Sequence, residues 1–290
     1  MSPYESDHDD GFVRLSGGGE LAYQIHGREH GGIPALLIRP LGGSMALWGT
    51  FRSVLAQKMS VISFDLCGTG HSSPGHGWVT TQGLADESLQ LLTHLDVARA
   101  HVFGISLGGM AATWLAILAP DRIARLCIAS APARGLELSR AGLRRELGLA
   151  ACFVRPSREV ESTLVRRILS RHFRETEPAE LLRIELSVQS EPASRSALLK
   201  HALAGFLHDA RRELGSITAP TLVLAGENDT LLGTEPCRAL ASSIPGARFE
   251  IIEGSGHALT LERPLTTASS VSQFFLSHHV DVPVGLLTPA

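Results

Sequence analysis

Lysine is nearly absent from this chain, since only Lys58 and Lys200 stand among its 26 basic residues. Arginine therefore carries almost all of the positive charge, and the arginines are scattered along the sequence instead of being grouped. The formal net charge at pH 7 is only -3. A site for nucleic acid or another polyanion needs clustered positive charge, so this composition argues against such a partner.

Cysteine is also scarce, and the four cysteines show no paired spacing: Cys67, Cys127, Cys152 and Cys237. Cys127 lies within an apolar, strand-like run, which indicates a buried and reduced thiol of the kind found in the cytoplasm. Residues 1–10 are polar and acidic, without the basic and apolar segments of a signal peptide. The sequence therefore predicts a cytoplasmic protein.

Long apolar runs and clusters of metal ligands are missing as well. No run reaches the roughly 18 apolar residues that a membrane-spanning helix needs, so no membrane association is predicted. The histidines, including His278 and His279, lack a ligand spacing with carboxylates or cysteines. We therefore expect neither a membrane anchor nor a bound metal.

Strand-like and helical runs alternate from residue 35 to residue 129. The predicted strands are 35–38, 61–64, 101–104 and 126–129, and the predicted helices are 48–58, 81–95 and 107–118. A hairpin is predicted over 12–25, later strands over 221–225 and 248–252, and a final helix over 261–276. Such alternation is typical of a mostly parallel sheet with helices on both faces. The predicted fold class is therefore α/β.

The alternation stops after Pro132, and residues 134–215 show only helical patterns. Leu164 and Ile168 fit one helix face, and Leu199 and Leu203 fit another. We predict that this segment is a helical cap inserted into an α/β core of residues 11–133 and 216–279. Residues 1–10 are expected to form a disordered N-terminus, and residues 280–290 a C-terminal tail.

The most informative motif is Gly104-Ile105-Ser106-Leu107-Gly108, a G-x-S-x-G sequence between a predicted strand and a predicted helix. A serine on such a sharp turn projects from the sheet, and the two glycines let the strand and helix pass closely. Its hydroxyl then lies at a helix N-terminus, which favours negative charge. Ser106 is therefore the predicted nucleophile.

Two further polar residues follow late predicted strands. Asp229 comes just after the strand at 221–225, and His257 comes after the strand at 248–252. Taken singly, either residue has an ordinary explanation as a turn or surface residue. Taken with Ser106, they reproduce the order nucleophile, acid, histidine at three strand ends. We predict a catalytic triad of Ser106, Asp229 and His257.

Four blocks of sequence resemble the α/β-hydrolase family over nearly the whole chain. They are Arg-Pro-Leu-Gly-Gly-Ser at 39–44, Phe-Asp-Leu-Cys-Gly-Thr-Gly-His-Ser at 64–72, the serine block at 104–110, and the segments holding Asp229 and His257. Residues 104–122 look most like 3-oxoadipate enol-lactonases and related small-ester hydrolases. The resemblance implies two backbone donors for an oxyanion, Leu107 and a residue of the loop at 39–44. Because Pro40 has no N–H, the second donor is expected at Leu41.

Arg39 departs from the family pattern, in which His-Gly often stands where this chain has Arg-Pro. One interpretation is a tolerated loop variant. The other is that Arg39 points into the pocket and pairs with a substrate carboxylate, for which a planar guanidinium is suited. Trp48 and Met110 are expected in the core.

The function predicted from these residues is that of a serine hydrolase, which cleaves a small carboxylic ester or lactone through an acyl-enzyme. No cofactor is required, and the expected partner is a small-molecule substrate. The same triad could instead serve carbon–carbon hydrolysis, lactone-forming cyclisation or acyl transfer. A non-catalytic ligand receptor of the same fold is a further alternative.

Overall fold

The computed structural model describes residues 8–135, 157–191 and 193–277. Its eight strands form one sheet in the order β1-β2-β4-β3-β5-β6-β7-β8. The strands are β1 His8–Arg14, β2 Glu20–His26, β3 Ala35–Ile38, β4 Val61–Phe64, β5 Ala100–Ile105, β6 Ile123–Ala129, β7 Thr221–Gly226 and β8 Arg248–Ile252. Only the pairings β1–β2 and β2–β4 are antiparallel. The predicted mostly parallel α/β sheet is therefore confirmed.

The first strand begins earlier than the sequence predicted. Residues 1–10 were expected to be disordered, but His8, Asp9 and Asp10 pair with β2, with His8 opposite His26. The expectation was wrong for these three residues because backbone hydrogen bonds of a hairpin do not depend on side-chain hydrophobicity. Residues 1–7 lie outside the described part of the chain.

Helices cover both faces of the sheet. Those of the core are α1 Gly49–Ala56, α2 Thr81–His94, α3 Leu107–Leu118, α8 Glu235–Ser243, α9 Leu259–Glu262 and α10 Pro264–Leu276. Alternate residues of β3 face opposite sides: Leu36 and Ile38 pack with α2 and α3, whereas Leu37 packs with α1 and α10. This period of two is what a sheet buried on both faces requires.

Among the described residues between β6 and β7, where the sequence predicts the cap, the chain forms four helices. They are α4 Ser157–Ile168, α5 Arg171–Thr176, α6 Pro178–Ser190 and α7 Arg195–Phe206. The predicted buried face of α7 is wrong, because Leu199 and Leu203 are exposed while Leu198 and His201 are fully buried. Where α7 meets Gly68 there is room only for a small side chain, since a Cβ on Gly68 would lie 2.7 Å from the Cβ of Ala197.

Two elements near the C-terminus differ from the sequence predictions. The helix α8 was not predicted, and the helix predicted over 261–276 is divided between α9 and α10 before Pro264, which lacks the N–H to continue a helix. The predicted tail at 280–290 lies outside the described residues. Within the described ranges, no helix combines the length and apolar character that crossing a membrane requires.

Candidate active site

Ser106 occupies a strained turn between β5 and α3. Its backbone angles are φ 54° and ψ −118°, in a region that residues other than glycine rarely adopt. Its N–H donates to the carbonyl of Ala129 at 2.9 Å, which anchors the turn to β6. Strain of this kind persists only where surrounding structure enforces it. The turn projects the Ser106 hydroxyl into a cavity at the carboxyl end of the sheet.

The glycines on either side of Ser106 allow this turn to form. A Cβ on Gly104 would lie 2.2 Å from the carbonyl oxygen of Gly108, and one on Gly108 would lie 2.1 Å from the carbonyl oxygen of Ile38. Real Cβ atoms do not approach oxygen so closely. The spacing in the G-x-S-x-G sequence therefore reflects two backbone contacts, one within the turn and one to the end of β3.

Ser106, His257 and Asp229 form one chain of hydrogen bonds. His257 Nε2 lies 3.0 Å from Ser106 Oγ, and His257 Nδ1 lies 2.8 Å from Asp229 Oδ2. The segments that carry the acid and the histidine are joined, because Asn228 N–H donates to the carbonyl of Ser255 at 2.7 Å. With its Nδ1 proton donated to Asp229, the imidazole has Nε2 free to accept the serine proton.

The Asp229 carboxylate is buried and well supplied with donors. Its Oδ1 accepts the N–H groups of Leu231 at 2.9 Å and Leu232 at 2.8 Å. Burial by itself raises the pKa of this carboxyl, but the charge on His257 and these hydrogen bonds outweigh burial and lower the pKa below its usual value. The carboxylate is therefore ionised at neutral pH and can hold one orientation of the imidazole.

Comparison with known proteins identifies the family. The family model described as the α/β hydrolase fold matches residues 34–264. The chain belongs to the α/β-hydrolase family. This α/β-hydrolase is 30% identical over 236 residues to 3-oxoadipate enol-lactonase 2 of Acinetobacter baylyi, covering 80% of this chain and 84% of that protein. The resemblance to this family and to its enol-lactonases is therefore confirmed.

Two further matches have similar coverage. A RutD protein of Azorhizobium caulinodans, named as a candidate carbamate hydrolase, is 29% identical over 261 residues, which is 86% of this chain and 92% of that protein. The crystal structure of the enol-lactonase from Burkholderia xenovorans matches with a TM-score of 0.81 and 26% identity, covering 92% of this chain and all of that chain. The relatives of this chain thus support its assignment as a hydrolase with esterase- or lactonase-type chemistry.

The loop after β3 and the start of α3 both line the cavity of this α/β-hydrolase. Leu41 and Leu107, the expected oxyanion donors, both line it together with Ser106. Gly42 and Gly43 have φ angles of 80° and 66°, which only glycine adopts without strain. This conformation lets the loop run beside the turn that holds Ser106. The donor roles of Leu41 and Leu107 stay predictions.

The cavity has a volume of about 190 Å³ and a mainly apolar lining. Its walls come from the sheet core and from the helices between β6 and β7, which contribute Leu164, Ile168 and His201. Trp48 and Met110, which were expected in the core, also line it. Among residues 8–135, 157–191 and 193–277, no group of three histidine, cysteine or acidic side chains could hold a metal ion.

Several cavity-lining polar groups escaped the sequence analysis. Ser130 follows β6 with a φ of 46°, and its buried hydroxyl has no hydrogen-bond partner. His201 is fully buried in α7, beside the backbone of Cys67. The exit of an apolar strand could have indicated Ser130, as it indicated Ser106 and Asp229. His201 had no such signal, because one histidine on a helix is usually part of a packed face.

Proposed function

We propose that this α/β-hydrolase cleaves a small carboxylic ester or lactone through an acyl-enzyme, with Ser106, His257 and Asp229 as its catalytic triad. The observation that carries the proposal is the continuous hydrogen-bonded chain from Asp229 through His257 to Ser106, which ends in a mainly apolar cavity. This arrangement satisfies the geometric requirement for a serine activated by a general base.

The reaction has two balanced halves. Ser106 Oγ attacks the substrate carbonyl as its proton passes to His257 Nε2, and the imidazolium then gives this proton to the departing alkoxide. Water next attacks the acyl-enzyme and gives a proton to His257, which returns it to Ser106 Oγ as the acid leaves. Asp229 stays ionised and stabilises the imidazolium. In each half the N–H groups of Leu41 and Leu107 donate hydrogen bonds to the oxyanion.

The restriction to small substrates rests on the cavity. A cavity of about 190 Å³ at Ser106 is the size of a small acyl group, and its mainly apolar lining suits an acyl chain. The enol-lactonases among the relatives act on lactones, as their names say. The cap residues that form one wall would then select the substrate. We place the protein in the cytoplasm, which agrees with the unpaired, buried thiols of Cys67, Cys127 and Cys237.

An active-site probe and a chromogenic ester together test the proposal. A fluorophosphonate should label Ser106 and no other serine, as located by mass spectrometry of the labelled peptide. Ser106→Ala should remove both labelling and the hydrolysis of 4-nitrophenyl acetate, while melting at the wild-type temperature. His257→Gln should keep Ser106 in place but slow labelling strongly. A folded protein that neither reacts with the probe nor hydrolyses the ester would instead be a receptor.

A further inference from the structure

Gly205 is a helical glycine in the wall of the cavity. It is the last residue but one of α7, and it lines the cavity together with Ser106. Glycine stabilises a helix less than alanine does, because it loses more conformational freedom on folding. A glycine inside a helix therefore usually has a structural reason, either a left-handed backbone or a close approach by another segment.

Neither reason applies to Gly205. Its backbone is helical, without the positive φ that favours glycine, and the helix ends at Leu207 with an ordinary φ of −86°. Outside its own helix, the nearest atoms of the described residues to a Cβ on Gly205 would be Leu107 Cδ1 at 3.5 Å and Met110 Sδ at 3.9 Å. These are ordinary van der Waals distances. An alanine would fit at this position, so what the glycine provides is empty space.

The empty space lies beside the nucleophile. Leu107 and Met110, which face it, both line the cavity. Leu107 follows Ser106 directly, and the N–H of Met110 donates to the carbonyl of Ser106 at 3.0 Å, so both residues belong to the first turn of α3. A chain attached to the carbonyl that Ser106 attacks can therefore extend over this turn towards α7.

The wall at Gly205 is held in place by the backbone after β6. The N–H of Gly135 donates to the carbonyl of His208 at 2.9 Å, and the N–H of Ala210 donates to the carbonyl of Ala133 at 3.0 Å. The approach is so close that a Cβ on Gly135 would overlap the carbonyl oxygen of Gly205. Because the end of α7 is fixed here, a larger side chain at position 205 would fill the cavity instead of pushing the helix away.

The two faces of the sheet separate Gly205 from His257. A leaving group must lie near His257, because the imidazolium protonates it. Leu259, two residues after His257, packs on the face that α1 and α10 cover. Ala204, next to Gly205, packs with Leu107 on the other face, which α3 covers. A leaving group beside His257 would place the acyl chain on the side of Gly205.

Arg39 does not give this cavity an exposed charge. The residue is only 2% exposed, its Nη2 donates to the carbonyl of Gly42 at 2.9 Å, and its guanidinium carbon lies 5.8 Å from the centre of the Trp48 ring. The guanidinium therefore supports the loop after β3, which favours the interpretation of Arg39 as a loop variant. With a mainly apolar lining, the cavity suits an uncharged chain.

We propose that Gly205 forms one wall of an acyl-chain pocket and sets the chain length that the enzyme accepts, so that the preferred substrate is an uncharged ester with an unbranched alkyl acyl chain longer than acetyl. The proposal rests on the hydrolase function above and adds the substrate class. Leu107, Met110 and Phe206 supply apolar lining around the chain. Each methylene buried there strengthens binding of the transition state.

4-Nitrophenyl esters of increasing acyl length test the pocket. We expect kcat/KM of wild type to rise from the acetate to the hexanoate. Gly205→Val should reduce the hexanoate-to-acetate ratio by roughly 10- to 100-fold, because its side chain takes the place of about two or three methylenes. Gly205→Ala adds one methyl group and should reduce the ratio by roughly 3-fold, without lowering the melting temperature. An unchanged ratio in both variants would overturn the pocket.

Ser196→Val is the matched control, since it places the same branched side chain on an exposed part of α7 that does not line the cavity. Its hexanoate-to-acetate ratio should equal that of wild type. Met110→Ala removes the side chain opposite Gly205, so adding it to either Gly205 variant should raise the ratio again. If Gly205→Val melts well below wild type, Gly205→Ala with and without Met110→Ala carries the test. A decrease that Met110→Ala does not reverse, or an equal decrease in Ser196→Val, would refute the pocket.

Esters that differ only in the alcohol decide which side of the substrate the pocket holds. Hydrolysis of hexyl acetate and methyl acetate is followed by the release of acid. Gly205→Val should leave their hexyl-to-methyl ratio of kcat/KM near the wild-type value, because the alcohol lies beside His257. A decrease in this ratio as large as that in the hexanoate-to-acetate ratio would overturn the assignment to the acyl chain.

Binding to the inactive Ser106→Ala variant separates this proposal from the hydrolase function. Saturation-transfer NMR should detect methyl hexanoate bound to Ser106→Ala. Binding that is lost on adding Gly205→Val supports the pocket even if wild type hydrolyses none of the esters, in which case only the hydrolase proposal fails. Hydrolysis by wild type with the same hexanoate-to-acetate ratio in folded Gly205→Val refutes the pocket and leaves the hydrolase proposal intact.

Discussion

Glu262 accepts two hydrogen bonds from Ser170, one from its N–H at 3.0 Å and one from its hydroxyl at 2.5 Å. Glu262 lies in α9, just after His257, whereas Ser170 caps α5 among the helices between β6 and β7. A third bond runs from the N–H of Ala258 to the carbonyl of Ile168 at 3.2 Å. The helices between β6 and β7 are thus tied directly to the segment that carries the histidine.

Removing the Ser170 hydroxyl should loosen this connection. The hydroxyl also accepts the N–H of Phe173 at the start of α5, so Ser170→Ala loses two hydrogen bonds. We expect a loss of about 1–3 kcal/mol in the free energy of unfolding and faster hydrogen exchange in α5. Ser190→Ala, which removes an exposed hydroxyl in α6, should change stability by less than about 0.5 kcal/mol. Equal effects of the two changes would contradict the connection.

Asp229→Asn should leave the fold intact and reduce kcat by roughly 10⁴-fold, because an asparagine amide stabilises the wrong imidazole tautomer. Steady-state turnover of 4-nitrophenyl acetate measures this loss. Asp65→Asn is the control, as its carboxylate accepts the N–H groups of Met45 and His71, not the imidazole. It should lower the melting temperature instead. The assignment of the acid is wrong if Asp65→Asn, and not Asp229→Asn, abolishes turnover.

Leu41→Pro should remove the N–H that we assign to the oxyanion. One such donor contributes about 2.7–4 kcal/mol to transition-state stabilisation in a comparable protease, or roughly 10²- to 10³-fold in kcat. Leu41→Ala keeps the N–H and should lose far less turnover, so the pair separates the backbone donor from the side chain. If both variants have similar kcat values and melting temperatures, the donor lies elsewhere, for example at Gly42.

Gly108→Ala should be poorly tolerated although the change adds a single methyl group. The new Cβ would meet the carbonyl oxygens of Ile38 and Arg39 at 2.1 and 2.4 Å. Forcing the start of α3 away from the end of β3 should cost at least about 1–3 kcal/mol in the free energy of unfolding, measured by urea denaturation. Gly215→Ala, where the added Cβ meets open space, is the matched control and should unfold near the wild-type midpoint.

Three buried histidines should make the protein sensitive to mild acid. Burial lowers the pKa values of His101, His201 and His208 from the usual 6.5 to about 4. Between pH 4 and pH 6.5 the unfolded chain therefore binds more protons than the folded protein. The stabilisation is complete above pH 6.5 and decreases as the pH falls towards 4. Each histidine contributes about 1.4 kcal/mol per pH unit within that window. Unfolding free energies measured against pH should become less steep in His101→Asn.

The triad residues could be named from the sequence because each follows a strand. An apolar run that ends in a polar residue is a local pattern, and the ends of parallel strands meet at one edge of the sheet. Ser106, Asp229 and His257 follow β5, β7 and β8, so their order along the chain matches their order across the sheet. Ser130, which follows β6, fits the same pattern of a polar residue after an apolar strand.

The direction in which a helical side chain points is harder to predict from the sequence than the position of the helix. The apolar residues of α7 suggested a buried face with Leu199 and Leu203, but His201 and small residues face the core there. A helical period locates a stripe of apolar residues without saying which neighbour it meets. The close approach to Gly68 selects small side chains, and that approach depends on a loop more than a hundred positions earlier in the chain.

The sequence by itself determined the α/β class, the family and the three polar residues at strand ends, because strand periodicity, turn glycines and chain order are all local properties. Only the tertiary structure decided which polar groups are buried without partners around the cavity. Arg39, Trp48 and Ser130 come from three separate elements, and their hydrogen bonding depends on how distant segments pack around them. Packing creates that property, and no segment of the chain contains it alone.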